Sequence, residues 1–307
     1  MNLKRFDIQI GIATVALIAF ALLPAVSDNQ YLLNTMITVM IFSLFGAAWD
    51  LTYGVTGLMN FGPGVAFGVG AFALNYFARS NISPPLALVL AAIIAASSGV
   101  IMWIPSVRMS GAYLAIVTLA ILLLAGDVAL VQTGEEGLSN GMTYFAVPII
   151  TAYYGALIVS MVGIFVLLFI KGTKFGLRLR AIKDDEVSAK SIAINTMKYK
   201  LAVFLASSFF LGLAGAYYSL YSTSVNYGIF SITNNFLGVA VGVIGGPGTI
   251  VGSILGSLIV EIPSGYLVSY GPYSLIVYGL TMVLVMLFLH GGLMQIVNFA
   301  ARRVRSR

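Results

Sequence analysis

Four ionisable side chains stand where a chain of apolar helices has little reason to carry charge: Asp50, Asp127, Glu261 and His290. Each lies in or beside a long apolar run, and a charge at mid-bilayer costs at least a few kcal/mol. Glu261 and Asp127 fall deepest, where a carboxylate serves either ion or proton coupling or a structural hydrogen bond. Asp50 and His290 fall near the ends of their runs, where they reach water. Asn60, Asn75, Thr118, Asn226, Asn234 and Asn235 are neutral groups that either line a path or cap helices. The chain has one histidine and no cysteine, which excludes disulfides, thiol catalysis and a histidine–cysteine zinc site. No cluster has metal-ligand spacing, and no nucleophile–base triad can be assembled.

The elements that carry these residues are apolar from end to end. Of 307 residues, 60% are hydrophobic and 8% charged, against roughly 25% charged in soluble domains. The apolar runs do not alternate, so they read as helices rather than as barrel strands. Their lengths approach the roughly 20 residues needed to cross the hydrocarbon. Spans are expected at 8–26, 32–52, 61–78, 84–106, 110–131, 146–170, 200–222, 233–245, 249–268 and 272–290. The run Ile8–Leu23 is too long for a signal-peptide core and no A-x-A site follows it, so it reads as an uncleaved first span. The third and eighth spans are short and glycine-rich, a pattern that fits broken or re-entrant helices. The fold class is thus an all-α polytopic membrane protein of about ten helices, one membrane domain over 1–307.

Basic residues set the orientation. The net charge of +6 would suit nucleic-acid binding, but its distribution does not. Eight of the sixteen basic residues lie between Lys171 and Lys200. Lys4, Arg5, Arg108, Arg302, Arg303, Arg305 and Arg307 fall on the same side, and Arg79 alone falls opposite. Ten spans with both termini in the cytoplasm satisfy the positive-inside bias. Small-xxx-small pairs such as Gly64 and Gly68, Gly238 and Gly242, and Gly248 and Gly252 read as helix-packing sites. Gly62-Pro63-Gly64 and Gly246-Pro247-Gly248 echo one another, but both start on the same side, so they are not equivalent positions of an inverted repeat.

The loop over 171–199 is the largest polar segment. Asp184 and Asp185 are placed to cap a short helix running through about Ile194, with Ile182, Ala189, Ile192 and Ala193 as a small or apolar face. Such a helix is too polar to span. It is either a knob for a partner or an interfacial helix anchored by its lysines.

This loop, Arg180-Ala181-Ile182-Lys183-Asp184-Asp185-Glu186 followed by Ala189, Ile194-Asn195 and Lys200, resembles the cytoplasmic coupling segment of LivM-type permeases of branched-chain amino acid ABC transporters. Three more stretches are similar to the same family: Tyr53-Gly54-Val55-Thr56-Gly57-Leu58-Met59-Asn60-Phe61-Gly62, Arg108 through Leu119, and Gly245-Gly246-Pro247-Gly248-Thr249 with Gly252. There are two departures. Ala193 stands where the family usually has glycine, and Thr133-Gly134-Glu135-Glu136-Gly137-Leu138 is one glycine short of the family's outer stretch.

The resemblance implies a permease subunit of an importer in the inner or plasma membrane, without enzymatic activity or cofactor of its own. It implies a homologous second permease, two ATPase subunits that hydrolyse the ATP, and an extracytoplasmic solute-binding protein. The chain has no G-x-x-x-x-G-K-[ST] loop, consistent with ATP being handled elsewhere. Arg180, Asp184, Asp185, Glu186, Ala189, Ile194 and Asn195 are the expected ATPase-coupling residues, with Arg180, Glu186 and Ala189 in direct contact. Asn60, Asn75, Thr118 and Glu261 are the expected path residues. Gly62, Gly64, Gly68, Gly246, Gly248 and Gly252 are the expected packing and turn residues. Close relatives import urea and short amides, an alternative cargo. A stand-alone ion-coupled transporter using Glu261 or Asp127 and a structural assembly protein are the other readings.

Overall fold

A computed structural model of the chain describes residues 3–27, 29–80, 82–134, 147–222, 225–267 and 292–294. These residues fold into helices α1 (Leu3–Val26), α2 (Gln30–Asp50), α3 (Gly64–Arg79), α4 (Pro84–Ser106), α5 (Gly111–Thr133) and α6 (Ile149–Gly172). Then come α7 (Lys174–Asp184), α8 (Glu186–Ser191), α9 (Thr196–Ser222), α10 (Ile232–Gly245) and α11 (Gly252–Leu267).

Local sequence explains the ends. The Asn29 side chain accepts from the N–H groups of Tyr31 and Leu32, taking up two donors that the first turn of α2 cannot satisfy. Pro84 and Pro85 open α4, where a missing N–H costs nothing. A π-helical turn, Leu51–Val55, extends α2 and widens it just before the backbone leaves the helix.

Six helices among the described residues are long and apolar enough to cross a membrane: α1, α2 with its π turn, α4, α5, α6 and α9. Helices α3, α10 and α11 are apolar but shorter, at 16, 14 and 16 residues. The expected spans up to 249–268 each meet a helix. The expected span 272–290 lies outside the described residues, as do His290, the segment 135–146 and the C-terminal arginines.

Helix α2 is the axis of the bundle. Its span is 78% buried, against 28% for α5 and 17% for α1, which places those two at the periphery of the bundle. Helices α6, α9, α10 and α11 all pack on α2, while α3 and α4 pack on α9. Without a hydrophobic drive between helices in lipid, close approach carries the association. A Cβ at Gly238 or Gly242 would fall 2.2 Å from the Phe45 ring or 2.6 Å from the Trp49 ring, so these two glycines let α10 lie against α2.

Candidate functional site

Two adjoining structures occupy the basic end of the bundle. The first is the turn between α10 and α11, residues 246–251, which folds onto the end of α2. Asp50 is 2% exposed. One of its carboxylate oxygens accepts from Gly248 N at 2.6 Å and the other from Ile250 N at 2.9 Å. Lys171, at the end of α6 and 5% exposed, donates from Nζ to Gly248 O at 2.5 Å and to Gln9 Oε1 at 3.2 Å. The Gly248 peptide unit is therefore held at its N–H by a carboxylate and at its C=O by an ammonium. Charge-assisted hydrogen bonds of this kind are about twice as strong as neutral ones.

The turn needs that grip. Gly248 has φ +80, available to glycine, but Ile250 has φ +48, a left-handed conformation that disfavours a β-branched residue. Such strain persists only where the surroundings over-determine it. Close approach adds a second restraint. A Cβ at Gly54 would lie 1.9 Å from Asp50 Oδ1 and 2.1 Å from Gly248 N, so the π turn abuts the α10–α11 turn directly. The expectation that Asp50 reaches water is thus corrected: the π turn and the 246–251 turn cover it. Gly246 begins this turn and Gly252 opens α11 directly after it, with Thr249 Oγ1 donating to Gly246 O at 2.6 Å.

The second structure is the elbow formed by α7, α8 and the start of α9. The short helix expected from Asp184 through about Ile194 is α8, only six residues long, and a separate helix, α7, precedes it. Asp184 ends α7, and Asp185, in an extended conformation, breaks the helix and caps α8. Its carboxylate accepts from Val187 N at 2.9 Å and Ser188 Oγ at 2.5 Å, and these bonds hold its carboxyl below the usual range. Glu186 accepts from Lys200 at 2.8 Å, Lys190 at 3.1 Å and Thr196 at 3.1 Å. Burial pushes the Glu186 carboxyl up, but the hydrogen bonds from Lys200, Lys190 and Thr196 outweigh it, so it too sits below its ordinary value. Lys200 also donates to Ser106 O at 3.2 Å, which ties α8 and α9 to the end of α4.

Helix α8 ends in a Schellman turn. Ala193 N donates to Lys190 O and Ile194 N to Ala189 O, with Ala193 at φ +62. The reversal that glycine would make easily is made here by alanine. Asn195 Oδ1 accepts from Lys198 N at 3.1 Å and caps α9. Ala189 is 2% exposed and packs inward, whereas Val187 is 73% and Ile192 70% exposed. Arg180 is half-buried on α7 and Asp184 is exposed. The outward face of the elbow is therefore Val187 and Ile192; the sequence pattern places Ile192 on the apolar face of this segment but does not single out Val187.

One contact joins the two structures. Lys183 Nζ, from the last turn of α7, donates to Gly54 O in the π turn at 2.6 Å. In the sequence Lys171 and Lys183 read only as members of a basic loop. Their roles here depend on carbonyls more than 70 residues away in the chain, a pairing that spacing does not encode.

The expected path residues sit deeper. Thr118 Oγ1 accepts from Phe61 N, Asn60 Oδ1 from Gly62 N and Asn235 Oδ1 from Gly64 N, each at 2.9 Å. Asn235 Nδ2 returns a bond to Phe61 O at 3.0 Å. Side chains from α5 and α10 thereby satisfy the irregular backbone that opens α3, as non-helical chain at membrane depth requires. Gly62 and Gly64 lie in this stitched segment, and Gly68 faces the Phe230 ring. Asn75 and Glu261 are buried in α3 and α11, apart from the segment, and Asp127 is exposed within two turns of the end of α5.

The chain resembles known membrane proteins. It is 24% identical over 290 residues to the high-affinity branched-chain amino acid transport system permease protein LivM of Escherichia coli, covering 83% of this chain and 68% of that protein. The LivM protein of Salmonella typhimurium is 26% identical over the same length and coverage. A probable branched-chain amino acid transport permease protein LivM of Methanocaldococcus jannaschii is 26% identical over 264 residues, 71% of this chain and 76% of that protein. No solved structure matches. The profile of the family described as branched-chain amino acid transport system / permease component matches residues 31–286, and the chain belongs to that family.

Proposed function

We propose that this chain forms a membrane pathway for branched-chain amino acids and is driven by separate ATPase subunits that dock on the elbow. Membership of the permease family supports a transport subunit, and the named relatives support the cargo. The full assembly in this reading has a homologous second permease, two ATPases that hydrolyse the ATP and an extracytoplasmic solute-binding protein. The basic end of the bundle then faces the cytoplasm. The shorter helices α3, α10 and α11, with the span that the sequence leads one to expect over 272–290, would bring the count to ten, with both termini inside.

The observation that carries the reading is the Lys183–Gly54 hydrogen bond. It joins the element that an ATPase would push to the element that packs against α2, the axis of the bundle. Val187 and Ile192 offer the apolar tip. Glu186 and Ala189 serve inside the elbow, fixing its shape, instead of touching the partner. Motion of α7 and α8 would then reach α2 through Lys183 and reach α10 and α11 through Gly54, Asp50 and Gly248.

Two variants test this on the tagged chain isolated from its own membrane. V187D/I192D should lose the copurifying ATPase. K183M, altered at an exposed side chain, should keep the ATPase but lose ATP-dependent leucine uptake in vesicles. Competition by isoleucine and valine but not by urea identifies the cargo. The reading fails if no ATPase copurifies even under mild crosslinking, or if K183M transports normally.

A further inference from the structure

Between α7 and the start of α9 lies a cleft of about 560 Å³, lined by Phe175, Arg178, residues 192–195, Lys198, Tyr199 and Ala202. Its size is within the roughly 300–1,000 Å³ of small-ligand sites. Its depth is set by the helices that bound it. Phe175 stands three residues beyond the end of the α6 span, and Tyr199 and Ala202 lie in the first two turns of the α9 span. That is the level of lipid headgroups, where amphipathic aromatic residues gather.

The chemistry of the lining is cationic, and one cation is held in place. The Tyr199 ring contacts both Phe175, with centroids 5.5 Å apart, and the Arg178 guanidinium, 5.5 Å from the ring centroid. Arg178 also donates to Tyr199 Oη. A guanidinium has five N–H donors, so several remain for a ligand. Four other cations of the loop are engaged: Lys190 and Lys200 with Glu186, Lys171 and Lys183 with carbonyls. Among the described residues, neither Arg178 nor Lys198 meets a carboxylate. The nearest acid along α7, Asp184, is six residues from Arg178, about 9 Å along the helix axis. Exposed Ile192 forms an apolar rim.

We propose that this cleft binds the headgroup of an anionic phospholipid from the leaflet at the basic end, with Arg178 and Lys198 on the phosphate above the floor at Tyr199 and Ala202. Basic pockets between helices on the cytoplasmic side suit such headgroups, and the leaflet itself is anionic. A water-soluble partner docked on Val187 and Ile192 would approach from outside the membrane and would not fill the floor at Tyr199 and Ala202. The proposal needs only the membrane placement of the chain and is independent of the ATPase reading.

The chain supplies its own reporter. It has two tryptophans. Trp49 is buried, and Trp103 donates from Nε1 to Met197 O at 3.2 Å, one residue from Lys198. The full chain in phosphatidylcholine mixed micelles is titrated with brominated phosphatidylglycerol or brominated phosphatidylcholine, and fluorescence quenching is followed. Phosphatidylglycerol should quench at a mole fraction on the order of tenfold lower. R178Q/K198Q should abolish that preference and R79Q, at the opposite end of the bundle, should keep it. Excess inorganic phosphate at constant ionic strength should leave the quenching in place. Equal quenching by both lipids, a preference that survives in R178Q/K198Q, or displacement by phosphate alone would overturn the proposal. So would a double variant that loses a copurifying ATPase while its lipid preference is unchanged, which would assign the cleft to a protein partner.

Discussion

The turn at 246–251 and the elbow at 184–195 both reverse the chain at the basic end of the bundle, and both contain a non-glycine residue in the left-handed region, Ile250 and Ala193. They are held by opposite means. The elbow is held mainly from within its own neighbourhood: Asp185 caps two and three residues on, Glu186 reaches residues within fourteen positions, and the Schellman bonds are local. The turn is held from afar, by Asp50 and by Lys171, through partners 198 and 77 positions distant. The charged groups that hold the elbow are partly solvated, whereas Asp50 and Lys171, which hold the turn, are buried. A solvated reversal tolerates the loss of any one contact, because water replaces it. A buried one leaves each lost partner unsatisfied.

Removing Asp50 should therefore have the largest effect. D50A strands Lys171 beside the turn and leaves the Gly248 and Ile250 N–H groups without acceptors. The expected loss is about 3–5 kcal/mol, read as a large drop in the detergent melting temperature and in monodisperse yield. D50A/K171A should recover part of it, since the second change removes the stranded charge. A double-mutant cycle measures that coupling. Full additivity would show that Asp50 and Lys171 do not act through one peptide unit.

G54A tests the same region by volume instead of charge. Its Cβ would meet Asp50 Oδ1 at 1.9 Å and Gly248 N at 2.1 Å. Backbone on one side cannot give way as a flexible side chain can, so a loss of about 1–3 kcal/mol is expected, as for an overpacked core. A melting temperature equal to that of the parent would mean that the π turn and the α10–α11 turn separate without cost.

The elbow should respond less. The Glu186 side chain is 34% exposed, so its ion pairs with Lys190 and Lys200 are screened, and E186Q should cost less than about 1 kcal/mol. The pH dependence has a definite sign. A carboxyl whose folded pKa is depressed stabilises the fold above its unfolded value, near 4.3, and that contribution fades as pH falls through the lower folded value. The difference between parent and E186Q should be constant from pH 7 to about pH 5 and decline only as the pH falls below the unfolded value. A difference that disappears nearer neutrality would place Glu186 in another environment.

The same contrast governs what the residues reveal before any coordinates are seen. Apolar runs of about 20 residues mark the spans, because crossing the bilayer is a local demand. Asp185 as a helix cap was legible for the same reason, although the break it makes after Asp184 was not, since two acids in a row leave the register of the cap open. Asp50 read as a residue that reaches water, and Lys171 and Lys183 as orienting charges. Nothing near them in the chain points to Gly248 or Gly54. Likewise Asn60, Thr118 and Asn235 carry no local sign that they meet at the start of α3. Ala189 read as an outward contact because a six-residue helix has too few turns for its inward face to show as a pattern. Of the exposed pair, Ile192 read as part of the apolar face and Val187 did not, on the same account.

The smallest expected effect is the one that separates the two reversals most cleanly. A193G relieves an alanine of a left-handed conformation that costs an L-residue roughly 1–2 kcal/mol. Against this, glycine gives the unfolded chain more freedom, worth about 0.4–1 kcal/mol. The balance is a stabilisation of about 0.5 kcal/mol, visible as a small rise in melting temperature with no change in leucine uptake. The corresponding relief is closed to Ile250, whose side chain is 1% exposed: removing it opens a cavity larger in cost than the strain released. If A193G instead destabilises, the methyl of Ala193 has a packing role. The elbow would then be held, like the turn, by contacts from outside its own neighbourhood.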